Sequence, residues 1–458
     1  RIRQVETFAD VNGSPLYYVA HLDPRGFLIV AADDRIEPVI CFVSGGVFDP
    51  SPDNPLYALI NSDLPQRIEK VKRLKASSAR SPWSLLQKKW IWLQSLEQKN
   101  QAVLSSIPNV SDLRVAPLIQ TVWDQTTASG SGACYNYYTP PYASGSTSNY
   151  PCGCVATAMA QLMRYWKYPV SGVGSSSFPI TVLVSTGYMN QVRNLRGGDG
   201  LGGPYVWSNM VLNPNIDCAP SQCQAIGALC ADAGVAAAMT YRATGSGAWM
   251  SDAKKALVNT FGYSNAVCYY TSNNMVTLTA SELCAMINPN LDAGCPVLLG
   301  LSPIGHAIAC DGYGYNASTL YHHLNYGQSG NSSAWYSLPD SGSSFTSVPE
   351  CVYNIWPNGS GEIISGRILR GGDGHPIIGA EVTAARFDGA TCVATSDAKG
   401  IYALARMLSS SSYTVSVRKT GCVFANQIVV TGQSSDPSPV SGNRWADDFT
   451  ANDESFAS

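Results

Sequence analysis

In the middle unit of this chain, from about residue 112 to 357, helical sequence patterns occupy the first half and strand patterns occupy the second half. Apolar residues recur at helical spacing over 155–167, 222–238 and 252–261, whereas "PVLLGLS", "HAIACDGYG", "TLYHHLNYG" and "SAWYSLP" have the apolar runs and alternation of strands. Ser251 precedes the third helix and is a residue type that caps helices. A helical half followed by a β-rich half predicts an α+β fold, with any functional site between the halves.

The segments on either side of this middle unit have patterns of their own. In the first, "GSPLYYVAHL", "GFLIVAADD" and "EPVICFVSGGVFD" predict strands, and a basic stretch with helical spacing follows, interrupted by Pro82. After the linker-like "NIWPNGSGE", short alternating strands with turn residues predict an all-β, Ig-like sandwich. We therefore place the domain boundaries at 1–111, 112–357 and 358–458.

Charge and composition exclude some classes of partner. The 458 residues carry a net charge of −3, with a pI near 6.0, so nothing indicates binding to nucleic acid. No apolar run reaches the roughly 18 residues that a membrane span needs. Fourteen cysteines are more than a cytosolic enzyme usually carries, which predicts a secreted or cell-surface protein of an oxidising compartment.

The segment "YPCGCVATAMAQLMRYWKYP", residues 150–169, places Cys154 at the start of a helix. Unpaired backbone N–H groups and the helix dipole favour a thiolate there, and Gly153 lets a substrate approach because it has no side chain. Cys154 is therefore a candidate nucleophile, with a buried structural thiol as the alternative. Cys152 and Cys154 are too close to bind zinc as a CxxC pair does, and no His/Cys cluster completes them, so we expect no metal and no cofactor.

A base for this thiol is available among the five histidines. His306 lies at the start of an apolar strand, and Asn325 lies on the next one. A thiol, then His, then Asn is the chain order of papain-like hydrolysis, in which the imidazole takes the thiol proton and the amide holds the ring. His322 and His323 are rivals, but neighbouring residues of a strand face opposite sides, so at most one faces a given site.

Several separate segments resemble the streptopain family of secreted cysteine peptidases. "GCVATAMAQLMRYWKYP" is similar to its nucleophile segment, and "GHAIACDGYG", "YHHLNYG" and "WYSL" are similar in order and spacing to its histidine and asparagine segments. "YVWSNM" and "ADAGVAAAMTYRATGSGAWMSDAKKALVNTFGY" resemble its intervening region. "RGFLIVAADDRIEPVICFVSGGVFD" resembles its inhibitory propeptide.

This resemblance implies a papain-like fold with a helical lobe and an antiparallel β lobe, and a Cys154–His306 dyad that hydrolyses protein or peptide substrates. It also implies that 1–111 is an α+β propeptide, which inhibits the chain's own cleft until it is cut within "IPNVSDLRVAPLIQ". Arg114 in that segment is an exposed-looking candidate for the cut. The family prefers a hydrophobic side chain two residues before the scissile bond (P2). We expect a secreted or cell-surface bacterial enzyme.

Two positions depart from the family pattern. Tyr326 and Gln328 stand where the family has tryptophans; a tyrosine keeps a ring and a hydrogen-bond donor. The glutamine that the family places shortly before its histidine is missing, and Gly300 lies near that place.

The oxyanion of the reaction must therefore be stabilised by other groups. One donor is the backbone N–H of Cys154, and the candidates for a second are Gln125 and the hydroxyl of Tyr326. Gly153 and Gly305, which precede the two catalytic candidates, are further candidates for contacts with the substrate.

The C-terminal segment resembles the carboxypeptidase-regulatory type of β-sandwich through "SGRI", "GHPIIGAEVTA", "TSDAKGIYAL" and "YTVSV". Such modules serve as spacers or bind surfaces, so a surface or glycan ligand is a candidate partner. Disulfides are expected, and Cys152 is expected to pair with a cysteine other than Cys154, with Cys134 as the candidate. Cys392 and Cys422 stand out as another pair, because they are the only cysteines after residue 351.

Two other functions stay open. The chain could be an inactive relative that serves as a surface-binding protein, which the changed tryptophan positions support. It could instead be a papain-fold amidase or acyltransferase. The propeptide-like unit argues against both, because latency is most useful to a proteolytic enzyme.

Overall fold

The computed structural model describes residues 1–73, 86–91, 93, 110–128, 132–216, 218–271, 278–316, 318–331, 333–337 and 348–452. Its helices are α1 (Pro55–Arg73), α2 (Cys154–Trp166), α3 (Pro220–Ala236), α4 (Met250–Asn259) and α5 (Ala280–Asp292), with further helical residues at 86–91. Within these ranges, no helix has both the length and the apolar character needed to cross a membrane.

The strands fall into three groups along the chain. The first group is β1 (Ile2–Ala9), β2 (Pro15–Leu22), β3 (Phe27–Ala31) and β4 (Val39–Val43). The middle group is β5 (Asp112–Val115), β6 (Thr127–Ala128), β7 (Gly132–Ala133), β8 (Ser177–Val184), β9 (Gly187–Asn194), β10 (Thr240–Tyr241), β11 (Asn265–Tyr270), β12 (Val297–Leu301), β13 (His306–Asn316), β14 (Thr319–Asn325), β15 (Ala334–Ser337) and β16 (Glu350–Trp356). The last group is β17 (Glu362–Arg370), β18 (Glu381–Ala385), β19 (Thr391–Thr395), β20 (Ile401–Met407), β21 (Ser412–Arg418), β22 (Gln427–Val430) and β23 (Phe449–Ala451).

One antiparallel sheet joins the first two groups of strands. Its order is β1-β2-β3-β4-β15-β14-β13-β12-β16-β11, with β5 paired to the far end of β13. The joint is β4 against β15, where Phe42 lies opposite Trp335 and Cys41 opposite Tyr336. The N-terminal unit therefore extends the sheet of the middle unit by main-chain hydrogen bonds.

The two faces of this sheet are covered differently. Leu298, Ala309 and Val352 pack with the helix that begins at Cys154, in one hydrophobic core. Leu299 and Ile308 are on the opposite face and pack with residues of the N-terminal unit in a second core. Alternate residues of each strand thus serve two different cores, which explains the nearly continuous apolar sequence of these strands.

The predicted helices of the middle unit are confirmed to within two residues at each end. Ser251 does not cap α4: it lies within the helix, whose N-cap is Trp249. The hairpin of β8 and β9 and the helix α5 were not predicted. The capping box of Thr279 and Glu282 at the start of α5 was the available signal for that helix.

Two expectations for the N-terminal region have different outcomes. The three predicted strands are present as β2, β3 and β4, whereas Pro82 lies outside the described residues. Arg114 is not the exposed site that its sequence context suggested: its side chain is 16% exposed and forms an ion pair with Asp112. Arg114 also lies on β5, inside the sheet, so a cut there would need β5 to leave β13.

The C-terminal residues form two sheets around a common core. One sheet has the order β20-β17-β23 and the other β19-β18-β21-β22. Ile364 and Leu404 from the first sheet pack with Val382 and Val415 from the second. This arrangement agrees with the all-β pattern of the sequence.

Candidate active site

The loop before α2 has a conformation that only glycine adopts without strain. Gly153 has φ +93°, and a Cβ atom at this position would lie 2.8 Å from the carbonyl oxygen of Ser246 and 2.9 Å from Sδ of Met239. Cys154 follows as the first helical residue, 8% exposed. The tight approach of the Gly153 backbone to its neighbours therefore fixes the position of the Cys154 thiol.

His306 is the first residue of β13, and its ring is held by the backbone carbonyl of the residue that follows β14. Its Nε2 lies 2.9 Å from the carbonyl oxygen of Tyr326. A carbonyl can only accept, so Nε2 carries the proton, and Nδ1 is the nitrogen left to exchange a proton with the Cys154 thiol.

The electrostatics of the two side chains favour an ion pair. Burial by itself would raise the pKa of the Cys154 thiol, but the charge of His306 and the hydrogen bond to it outweigh burial and hold the pKa below its ordinary value. Burial likewise opposes the charged form of His306, yet the thiolate charge and the bonds to Cys154 and the Tyr326 carbonyl raise its pKa. The backbone N–H groups of Val155 and Ala307 also stabilise the thiolate.

Asn325 is buried beside this pair but bonds to other groups than expected. Its Oδ1 accepts from Nε2 of Gln161 at 3.2 Å and from the N–H of Gly327 at 3.1 Å, and its Nδ2 donates to the carbonyl of Thr121 at 3.0 Å. The expected contact between the Asn325 amide and the imidazole is replaced by the Tyr326 carbonyl. The contact between Gln161 and Asn325 was not predicted, although a glutamine on the apolar face of a predicted helix indicates a buried polar contact.

The candidates for oxyanion and substrate contacts lie in different surroundings. The Tyr326 hydroxyl is not at the site: its side chain is 1% exposed in the core shared with the N-terminal unit, and its oxygen has no partner in the described part of the chain. Gln125 is near Cys154 in the fold, since its carbonyl accepts the N–H of Cys152 at 2.8 Å. Gly305 is exposed, with open space where a Cβ would be.

The rival histidines are on opposite sides of β14, as predicted. His322 is buried, its Nε2 lies 2.6 Å from Oδ1 of Asn288, and burial lowers its pKa to about 3. Nδ1 of His323 lies 2.6 Å from Oδ1 of Asp311. Each ring is thus occupied with a partner other than Cys154.

All fourteen cysteines are described, and all are free thiols. The sulfur neighbours differ from the expected pair: Cys152 contacts Cys230, and its Sγ lies 3.3 Å from Oγ1 of Thr157. Cys134 instead lies with Cys218 and Cys223, the three sulfurs being within 4.8 Å of one another. Among the described residues no fourth His, Cys, Asp or Glu joins these three sulfurs, so a closed tetrahedral metal site is not built here.

The N-terminal unit is anchored to the sheet through α1. Asp63, 3% exposed, accepts from Nε of Arg67 at 2.8 Å and from the hydroxyl of Tyr336 on β15. Arg67 donates to the carbonyl of Ser337 at 2.6 Å. The hydrogen bonds that join β4 and α1 to the rest of the sheet reach β14 and β15. Among the described residues, none of these bonds is made to Cys154 or His306.

Comparison with protein families matches residues 123–336 to the Peptidase C10 family and residues 2–67 to the Spi protease inhibitor family. Among individual proteins, the chain is similar to the thiol protease/hemagglutinin PrtT of Porphyromonas gingivalis, 26% identical over 336 residues. That match covers 68% of this chain and 32% of PrtT, so the chain spans about a third of that relative. It is also similar to streptopain of Streptococcus pyogenes, 25% identical over 348 residues, which cover 74% of this chain and 77% of streptopain.

A solved structure shares the fold. The prointerpain A fragment of Prevotella intermedia superposes with a TM-score of 0.52 at 24% identity, covering 78% of this chain and 99% of that fragment. The matched families and the similar proteins all indicate a cysteine peptidase preceded by an inhibitor segment, and the solved structure has the same fold. Residues 123–336 of this chain therefore match a family of cysteine peptidases, Peptidase C10, and a segment that matches the Spi protease inhibitor family precedes them, which is the order of a proenzyme.

Proposed function

We propose that this chain is the proenzyme of a secreted bacterial cysteine endopeptidase that acts through Cys154 and His306. The observation that carries the proposal is that Cys154, at the start of α2, contacts His306, whose ring is held by the Tyr326 carbonyl. The pKa of the thiol is lowered and that of the imidazole is raised, in agreement with this contact. A thiolate beside an imidazolium, with the ring held by a carbonyl, is the activated nucleophile that peptide hydrolysis needs.

The reaction follows from this arrangement. His306 takes the proton of Cys154, and the thiolate attacks the substrate carbonyl carbon, moving its π electrons onto oxygen. The N–H of Cys154 and the amide of Gln125 stabilise that oxyanion. His306 then protonates the leaving amine as the C–N bond breaks, which leaves a thioester. Water, deprotonated by His306, adds to the thioester and releases the acid and the thiol.

Asn325 has a positioning role in this proposal. Its amide connects α2, through Gln161, to the backbone of Gly327. These bonds hold the turn whose Tyr326 carbonyl orients His306. Gly305 leaves open space for the substrate beside His306, whereas the space beside Gly153 is filled by Ser246 and Met239.

The domain organisation completes the proposal. Residues 1–111 are the inhibitory propeptide, 112–357 the papain-like peptidase with a helical and a β lobe, and 358–458 a linker with an Ig-like sandwich that serves as accessory domain. Activation needs a cut in "IPNVSDLRVAPLIQ" and release of β4 from β15. The mature enzyme prefers a hydrophobic P2 residue, and the sandwich binds a surface or glycan ligand.

The test is incubation of the full chain with a reducing agent over a pH series. Casein hydrolysis, gel mobility and labelling by an epoxide thiol inhibitor are followed beside Cys154→Ala, with Cys422→Ala on the accessory domain as the matched control. Loss of an N-terminal fragment together with the appearance of activity is expected for the parent and the control only. An intact chain without label at Cys154, even after limited trypsin treatment, would favour the surface-binding protein. Transfer products on small amides, without casein cleavage, would favour the acyltransferase.

A further inference from the structure

A row of four residues crosses the sheet at the end where His306 lies. Ala307 on β13 is opposite Gly300 on β12, Gly300 is opposite Glu350 on β16, and Glu350 is opposite Tyr270 on β11. Residues opposite one another in antiparallel strands point to the same face. The register therefore brings a carboxylate into one row with the residue that follows His306.

This row faces the side of the sheet that carries the nucleophile. The next row along the same strands contains Leu298, Val352 and Ala309, which pack in the core that includes Cys154. Because side chains two residues apart share a face, Glu350 points to that side as well. The row lies beyond the edge of this core, and Tyr270 at its end is 36% exposed.

Gly300 makes room for the carboxylate within the row. A Cβ atom on Gly300 would lie 2.5 Å from Oε2 of Glu350 and 3.0 Å from its Cβ, so the Glu350 side chain lies over the bare backbone of β12. Gly300 has no side chain and Ala307 has a small one, so the Glu350 carboxylate lies over the backbone of β12, which is adjacent to the strand that begins at His306.

Glu350 has no cation of its own. In the part of the chain that is described, no Lys, Arg or His pairs with it, and Lys254 and Lys255, on the helix that packs against β11, are each paired with an aspartate. The adjoining segments 272–277 and 338–347 contain no Lys, Arg or His. Burial raises the pKa of Glu350. A half-buried carboxylate without a counter-ion is costly in the free enzyme and attracts a cationic group.

We propose that Glu350 is the specificity-determining carboxylate of the P2 subsite, so that the enzyme accepts Lys and Arg at P2 besides apolar side chains. This inference rests on the proposed peptidase function and extends its P2 preference. Glu350 is two strands from β13, roughly 10 Å at the usual strand spacing, a distance that a long basic side chain spans. The methylene groups of the basic P2 side chain pack on the apolar surface of the row, and its charged end pairs with the Glu350 carboxylate.

The test uses the activated full chain and fluorogenic peptides that differ only at P2, which is Arg, Met or Glu. For the parent we expect kcat/KM to be higher for Arg than for Met, and the ratio to fall as salt screens the charge. In Glu350→Gln the Arg-to-Met ratio falls about 10- to 100-fold, as expected for loss of a charged hydrogen bond, while the Met substrate changes little. Glu350→Lys reverses the order of Arg and Glu. Glu381→Gln, exposed on β18, keeps the parent ratio.

The outcomes separate this inference from the function on which it rests. A parent that cleaves none of the peptides after activation contradicts the peptidase itself. A parent that cleaves Met but not Arg at P2, or that keeps its Arg-to-Met ratio in Glu350→Gln, overturns the role of Glu350 alone. If the variants do not fold, the parent's ratio and its salt dependence still decide. A charge preference at P1 or P1′ in place of P2 also contradicts the assignment.

Discussion

Cys154 and His306 stabilise each other's charged form, which defines a pH window for the nucleophile. The lowered pKa of Cys154 means that the thiolate is lost only when the pH falls through that lowered value. The raised pKa of His306 means that the imidazolium persists above its ordinary range and is lost when the pH rises through the raised value. The ion pair is therefore present between the two midpoints.

We expect His306→Ala to shift the alkylation profile of Cys154 to higher pH. Burial of the thiol remains in the variant while the stabilising charge is gone, so the pKa of Cys154 should rise above that of the parent. The rate of iodoacetamide labelling at Cys154, followed by peptide mass spectrometry against pH, measures this. Equal midpoints in the two proteins would contradict the ion pair, and the labelling of Cys422, a half-buried thiol of the C-terminal sandwich, is the internal reference in the same digest.

The sequence identified the Cys154–His306 pair but not the backbone group that holds the imidazole. The helix start and the order of Cys154 and His306 pointed to the two residues that the structure brings together. The carbonyl of Tyr326 could not be found in the same way, because every residue carries a carbonyl and only the fold decides which one reaches the ring. Glu350 was missed because its neighbours Gly300 and Ala307 are distant in sequence.

Among the secondary-structure elements, α1 and β15 make a buried polar contact through which we expect the propeptide to be held in place. Asp63 and Arg67 are buried between them, at 3% and 8% exposure, and each also bonds to β15. In Asp63→Asn the buried Arg67 loses its carboxylate, and breaking such a pair costs about 3–5 kcal/mol. We expect the propeptide to dissociate more readily and casein hydrolysis to begin at least several-fold sooner.

The same helix offers a matched control. Glu69 and Arg73 form an ion pair at the same i,i+4 spacing, but their side chains are 55% and 78% exposed. An exposed pair contributes only about 0–1 kcal/mol, so Glu69→Gln should activate at the parent rate. Equal activation rates for Asp63→Asn and Glu69→Gln would show that the buried pair does not hold the propeptide.

The cysteines of α2 and α3 give a second prediction for these elements. Cys152, just before α2, contacts Cys230 on α3, whose pKa is raised by that contact and by burial. In an oxidised glutathione buffer we expect a Cys152–Cys230 disulfide, and no link from Cys152 to Cys134. Disulfide mapping by mass spectrometry distinguishes the two, and closing so long a loop should stabilise the fold by roughly 4 kcal/mol. Sequence could not choose this partner, since pairing depends on how the helices pack.

For the whole molecule, sequence patterns indicated the three units but not how closely they join. The apolar strands of the middle unit predicted a buried sheet, and the continuation of that sheet into β4 became visible only in the register of Phe42 and Trp335. The linker-like "NIWPNGSGE" predicted a boundary between the middle unit and the sandwich and no contact between them. Instead, the side chain of Asp292 on α5 accepts from Ser365 on β17 at 2.7 Å and from Tyr313 at 2.6 Å.

This junction should make the stability of the whole chain depend on pH. Burial raises the pKa of Asp292 from 3.8 to about 7, so the folded chain keeps a proton that the unfolded chain releases. The resulting stabilisation is full below about pH 3.8, decreases as the pH rises to about 7, and is lost above that value. Asp292→Asn carries no such proton, so its unfolding midpoint in urea should lack this slope, whereas Glu381→Gln should keep it. A group that titrates on unfolding must leave a slope in the pH dependence of stability. Parallel curves for the parent and Asp292→Asn between pH 4 and pH 8 would therefore contradict the raised pKa of Asp292.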